Sequence, residues 1–354
     1  MTVDSRAAQA AAACDRKGEP MVRRSLFLSV LSLVLAACGP AIPATPTAAP
    51  GTSQTATPLR VIRLPMGYIP SVQYANFYVT AAKGYFAAEG LDVQPDYSFE
   101  TNGVQLVGAG ELPFAVVSGE QVLLARAQGL PVRYVMTWFD KFPVAVVSPK
   151  SAGIVEPSDL RGKRIGVPTL EGANFIGLHA LLAAAGVGID EVTISAIGFN
   201  QVEALTAGQV DAVVVYANNE PIRLAAQGQE INVIQVSDYA PLAANGILTS
   251  EATLADEPEL VRAFVRALAR GTADVIADPA GAYAITKQVV TELSDDALEQ
   301  KVLAATIALW TTERVGYSEQ AAWEGMQQTL LDAGLLKSPL DLTQAYTNDY
   351  LPEP

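Results

Sequence analysis

Cysteine, histidine and positive charge are all scarce in this sequence. The two cysteines, Cys14 and Cys38, stand near the N-terminal end. The rest of the chain therefore carries no disulfide framework and no Cys-rich metal site. His179 is the only histidine, which leaves little for a Ser-His-Asp arrangement or a His-rich metal cluster. Lys and Arg number 23 against 37 Asp and Glu, a formal net charge of -14. Nucleic acid needs a basic footprint and is excluded as a partner. A polybasic contact with anionic lipid is excluded on the same ground. No segment beyond the N-terminal region is apolar for long enough to span a bilayer.

What is present begins with an address. Residues 21–38 open on Arg23 and Arg24, continue through an apolar stretch from Leu26 to Leu35 broken only by Ser29 and Ser32, and end in Leu35-Ala36-Ala37-Cys38. That order of basic start, short apolar core and small residues is a signal peptide rather than a membrane span. The ending resembles a bacterial lipobox, which implies that Cys38 is diacylated and becomes the first residue of an extracytoplasmic, membrane-anchored protein. Residues 1–20 fit no such signal and read as an extension ahead of a true start at Met21, outside which Cys14 falls. Residues 38–58 are rich in Pro, Thr and Ala without apolar periodicity, so an extended, unstructured tether is expected.

From Leu59 onward short β-rich runs alternate with Ala-rich helical stretches. Strands are expected at 60–64, 91–96, 114–117 and 132–137, with helices at 71–89, 103–109 and 120–128 between them. The plan then repeats: strands at 164–167, 192–196 and 212–216, helices at 173–185 and 200–207. Gly90, Gly129 and Gly186 stand where helices stop. Two short matches point to duplication. Ala75-Asn76-Phe77 and Ala173-Asn174-Phe175 open corresponding helices, and Ala109-Gly110 and Ala207-Gly208 both lead into an Ala-Val-Val strand. Residues 241–354 read as helices throughout. The expected architecture is α/β and two-lobed, each lobe a mostly parallel sheet flanked by helices, with 59–147 and 243–354 in lobe I and 148–242 in lobe II. A chain of 354 residues, half of them hydrophobic, is ample for two such cores. A monomer is expected.

Open parallel sheets bind ligands beyond the carboxyl ends of their strands. In lobe I those ends carry Tyr68, Ser71, Gln73, Tyr74, Asn102, Ser118, Glu120, Trp138 and Phe139. In lobe II they carry Thr169, Glu171, Asn174, Phe175, Asn200, Tyr216, Asn218 and Glu220. Aromatics alternate with amides, hydroxyls and carboxylates, and these loops hold no Lys or Arg. An anion site needs cations or a Gly-rich helix start. This set suits a flat, neutral ligand with polar edges, stacked on rings and read by amides and carboxylates. Single residues also have plainer roles: Glu120 and Glu220 can cap helices, Asn218 can simply turn the chain, and His179 lies on a Leu-rich helix face. No metal and no catalytic group is expected.

Three motifs carry a resemblance. The run from Lys83 to Val93 resembles the K-G-Y-F-x-x-E-G-L-x-V signature of binding proteins for thiamine pyrimidine precursors and sulfonates. The runs from Asp159 to Val167 and from Ala207 to Ala212 match two further motifs of that superfamily. A finer likeness, carried by residues 67–75, 114–121, 198–205 and 215–221, is to the riboflavin-binding lipoproteins of flavin ABC importers. It implies riboflavin as transported ligand, with no cofactor, and an ABC permease as partner. Pyrimidine-precursor binders often carry W-x-P-N after the first strand. Gly67-Tyr68-Ile69-Pro70-Ser71 stands here instead, which shifts weight toward riboflavin and leaves the pyrimidine precursor as the alternative. The superfamily also includes pyrimidine synthases that rely on histidine and a cofactor-bound lysine. One histidine on an apolar helix argues against such an enzyme. Import and ligand sensing share all of these features.

Overall fold

A computed structural model describes residues 58–293, 295–310 and 314–353. The expected extension, signal peptide, lipidated Cys38 and nearly all of the tether lie outside the described residues. The body opens with strand β1 (Arg60–Gly67), helices α1 (Ala75–Ala82) and α2 (Tyr85–Ala88), and strand β2 (Leu91–Phe99). Helix α3 (Glu100–Gly108), β3 (Ala115–Val117), α4 (Gly119–Ala127) and β4 (Val132–Thr137) follow. The second set is β5 (Val144–Pro149), β6 (Arg164–Val167), α5 (Gly172–Ala184), β7 (Thr193–Ala196), α6 (Gln201–Thr206), β8 (Ala212–Tyr216), α7 (Glu220–Ala226) and β9 (Ile231–Gln235). The chain closes with β10 (Gly246–Ser250), α8 (Glu251–Asp256), α9 (Pro258–Ala277), α10 (Pro279–Val289), α11 (Asp296–Ile307), α12 (Gln320–Asp332) and α13 (Leu342–Ala345).

The two lobes share one strand plan. In lobe II the order is β7-β6-β8-β5-β9, with β5 antiparallel to both neighbours. In lobe I, β1 and β2 pair in parallel beside β3, and β10 lies antiparallel between β3 and β4. Each lobe's antiparallel strand is thus the first segment after the chain crosses over. The local turns repeat as well. Gly110 and Gly208 both adopt φ near +70°. In each, the glycine N–H and the following N–H bond back to the helix, Gly110 to Val107 and Glu111 to Leu106, Gly208 to Leu205 and Gln209 to Ala204. This is the same paired C-terminal cap in both lobes.

Three expectations need correction. The block 241–354 is not all helix, because Gly246–Ser250 is a central strand of lobe I with all five residues buried. A strand covered on both faces shows no polar alternation, so its pattern is hidden in sequence. Gly246 is required there: a Cβ would lie 2.2 Å from the Met136 carbonyl oxygen. Val144–Pro149 is likewise a central strand, of lobe II, so the boundary expected at residue 147 falls inside it and the first crossing lies before Val144. The helix expected over 71–89 is broken at Gly84, which takes φ 72°.

The amphipathic helix α9 begins with Pro258 at its first position and buries Val261, Phe264, Val265, Leu268 and Val275 at helical spacing. Phe264 stacks on Phe86 and on Phe114, which fixes the helix to lobe I. The C-terminal block also reaches lobe II, since α12 packs against α5 and α11 against α7. Among the described residues no helix is long and apolar enough to cross a membrane.

Candidate ligand-binding site

The carboxyl ends of the parallel strands face one another across a cleft between the lobes. It contains about 920 Å³ of unfilled space, counted out to its mouth and including open solvent. Lobe I supplies an aromatic wall. Trp138 stacks between Tyr74, at 5.0 Å and 16°, and Phe139, at 4.2 Å and 25°. Phe77 braces the Trp138 ring edge-on from behind. These rings are buried, so their positions are set by the core. Lobe II faces them with Thr169, Glu171, Asn174, Gln201, Asn219 and Glu220. At the mouth Tyr68 meets Phe199 edge-on at 4.9 Å, and Phe99 lies parallel to Phe199 at 6.4 Å.

Two buried donors on the walls have no acceptor: the Trp138 indole Nε1 and the Asn174 amide Nδ2. Buried polar groups are normally paired, so these two unpaired donors stand out among the cleft residues. Tyr216 donates to Asn245 Oδ1 at 3.1 Å, and Asn245 Nδ2 donates to Glu100 Oε1 at 3.1 Å, a chain that links the lobes across the cleft floor. Burial raises the phenols of Tyr68, Tyr74 and Tyr216 above their ordinary value, so all three remain neutral donors.

At the floor lies an acid pair, Glu100 lining the cleft and Glu120 beneath it. The Ser118 backbone N–H donates to Glu100 Oε2 at 2.9 Å, and the Ser118 hydroxyl contacts that same oxygen at 2.5 Å and Glu120 Oε1 as well. A hydroxyl has one hydrogen, so it can donate to only one of two carboxylates. The other contact requires a proton on a carboxyl. Burial first, and the Glu100 charge second, push Glu120 up to about 8. Burial also raises Glu100, against hydrogen bonds from Ser118 and Asn245. Glu120 therefore carries the proton and donates to Ser118, which donates to Glu100. Glu220, the counterpart in lobe II, sits on the cleft wall. Burial raises its carboxyl too, but it accepts the Tyr216 N–H at 3.0 Å and the Asn219 amide at 2.8 Å, and Arg223 lies nearby.

Tyr68, Gln73, Tyr74, Trp138, Phe139, Thr169, Glu171, Asn174, Tyr216 and Glu220 line the cleft as their strand-end positions imply. Seven other candidates do not. Ser71 caps the turn at 72–74 by accepting the Gln73 N–H. Asn102 is exposed, because α3 starts at Glu100 rather than 103 and turns Asn102 outward while Thr101 faces in. Ser118 and Glu120 lie under the floor. Phe175 packs edge-on against His179, whose imidazole is held below its usual pKa by burial and does not line the cleft. Asn200 closes its own turn on the Ile197 carbonyl. Asn218 donates to Thr306 of α11 at 2.8 Å. The wall residues Phe99, Glu100, Thr101, Phe199, Gln201 and Asn219 stand within three positions of the strand-end candidates Asn102, Asn200 and Asn218, whereas nothing in the sequence pointed to Met66, Gln121, Pro168 and Asn245 as wall residues. Asn245 precedes the hidden strand β10. The absence of cations from the loops also needs a qualification: Arg223, one turn into α7, reaches Asn219 Oδ1 at 2.8 Å.

Comparison with known proteins adds four findings. A family model described as NMT1/THI5 like matches residues 71–282. The riboflavin-binding protein RibY of Chloroflexus aurantiacus is 42% identical over 346 residues, covering 94% of this chain and 99% of the relative. The 4-amino-5-hydroxymethyl-2-methylpyrimidine phosphate synthase of Legionella pneumophila is 27% identical, over 82% of this chain and 92% of its own. Among solved structures, the alkanesulfonate-binding protein SsuA from Xanthomonas axonopodis pv. citri matches with a TM-score of 0.65 at 16% identity, covering 83% of this chain and all of that one, a likeness of fold. With its shared two-lobed plan and its inter-lobe cleft, the chain belongs to the NMT1/THI5-like family.

Proposed function

We propose that this protein captures riboflavin between its lobes and delivers it to the membrane permease of an ABC importer. It does so as a monomer on the extracytoplasmic face, held through a lipid on Cys38. The observation that carries the ligand is the cleft itself. A stacked aromatic wall of Tyr74, Trp138 and Phe139 faces a polar wall across a space suited to a flat ring. The free Trp138 and Asn174 donors match ring carbonyls, and the carboxylates match ring N–H and hydroxyl groups. The riboflavin-binding relative supports the same ligand, being 42% identical along nearly its whole length.

The role is capture rather than catalysis. The synthase relative is far less similar, at 27% identity. The chain's one histidine packs on Phe175 away from the cleft. A thiamine pyrimidine precursor is the second reading, favoured by the family match. Fluorescence titration of the purified protein tests the first: riboflavin emission is expected to be quenched to saturation at one equivalent. Unquenched emission, together with heat evolved on calorimetric titration with an aminopyrimidine, contradicts it and supports the second.

A further inference from the structure

Behind Tyr68 and Phe199 the cleft adjoins a second cavity, with about 1400 Å³ of unfilled space counted in the same way. The two spaces share Tyr68, Phe199, Gln201, Asn219 and Glu220 as walls. The loop after β1, helices α6 and α7, residues 290–293, Asp295 and the start of α11 line the rest.

Its chemistry differs from that of the cleft. Five polar side chains on it are each less than one-tenth exposed: Ser71, Gln201, Asn219, Glu220 and Glu299. Groups buried this deeply require partners. Arg223 meets part of the need, donating to Asn219 Oδ1 and to Glu299 Oε1, each at 2.8 Å. The second oxygen of Glu299, Oε2, is buried and has no partner. Charge is one-sided as well. Glu203, Glu220, Glu292, Asp295 and Glu299 line the cavity, against Arg223 as the one cation among its described residues. An entering phosphate or carboxylate would face repulsion and an Arg already engaged twice. No group of three or more His, Cys, Asp or Glu among the described residues is arranged to hold a metal.

We propose that this cavity is a subsite for an uncharged polyhydroxylated chain, the tail of a ligand whose ring lies in the aromatic cleft. A hydroxyl both donates and accepts, so a polyol can give hydrogens to the wall carboxylates and take amide N–H groups from Gln201 and Asn219 on its lone pairs. This rests on the flavin reading and adds where the ribityl chain goes, with the consequence that a phosphorylated flavin is expected to bind less tightly.

Quenching titrations with three probes test it on the full chain. They are riboflavin, lumiflavin (the same tricycle with a methyl in place of the chain) and riboflavin 5′-phosphate. Riboflavin is expected to bind at least tenfold more tightly than either of the others. Ala226→Trp, at an exposed position on the cavity wall, fills the space and is expected to bring riboflavin down to the lumiflavin level, with lumiflavin unchanged. Glu203→Lys, on the exposed rim, is expected to improve phosphate binding several-fold. Equal affinity of riboflavin and lumiflavin in the wild type overturns the subsite while leaving flavin capture intact. So does an Ala226→Trp variant that weakens both probes equally or neither. If no probe binds the wild type, both the flavin reading and the subsite fall.

Discussion

The lobes share a strand order and a helix-capping turn, yet they present different chemistry to the cleft. Lobe I shows stacked buried rings beside Gln73, Glu100, Thr101 and Gln121; lobe II shows mostly amides, hydroxyls and carboxylates, with Tyr216 and Phe199. The pair Glu120 and Glu220 makes the same point. Each opens the helix after the third parallel strand of its lobe. Glu120 turns inward to Ser118 and holds a proton, while Glu220 stays on the wall and accepts from Tyr216 and Asn219. A repeated backbone fixes where a side chain starts, and its neighbours decide what it does.

The strongest way to break this contrast is to remove the ring at the centre of the aromatic wall. Trp138→Ala is expected to lower riboflavin affinity at least a hundredfold, about 3 kcal/mol, in fluorescence titration. Phe199→Ala, in lobe II and already 42% exposed, is expected to cost less than tenfold. Equal losses would erase the division between the lobes.

The acid pair gives the next effect. In the folded protein burial, with the Glu100 charge beside it, pushes the Glu120 carboxyl up to about 8 from an ordinary 4.5. Between those values the folded state keeps a proton that the unfolded chain has released, so the stability linked to this group is complete below 4.5 and is lost as pH rises through 8. Denaturant unfolding of Glu120→Gln against wild type is expected to show the variant gaining about 4 kcal/mol relative to wild type from pH 5 to pH 9. A parallel pH dependence in the two proteins contradicts the shared proton.

Smaller effects sharpen the account of the polar lobe. Asn174→Ala removes a free donor and is expected to weaken riboflavin about tenfold with the unfolding midpoint unchanged. Asn218→Ala breaks the tie to Thr306 and is expected to cost about 1 kcal/mol of stability with little change in affinity, since Asn218 lies off the wall.

Much of this was legible in sequence. Gly129 and Gly186 end their helices with positive φ, a requirement that only glycine meets cheaply. Long amphipathic segments such as Pro258–Ala277 announce themselves by period. The antiparallel strands β5 and β10 did not, because a short apolar run buried on both faces carries no phase and no sign of its partners. Asn245 was hidden with β10, although it joins Tyr216 to Glu100. The site was legible as a set of loops but not residue by residue. A helix that starts three positions early, as α3 does, moves Asn102 off the wall and puts Thr101 on it. The inward turn of Glu120 depends on Glu100, twenty residues away, and no local pattern encodes it.

The most direct test is a crystal structure of the protein grown with riboflavin. The isoalloxazine ring is expected in the cleft in contact with the lobe I rings, with Trp138 Nε1 and Asn174 Nδ2 each within hydrogen-bond distance of a ring carbonyl or nitrogen. A flavin bound elsewhere, or lying in the cleft without contact to the lobe I rings, would contradict it.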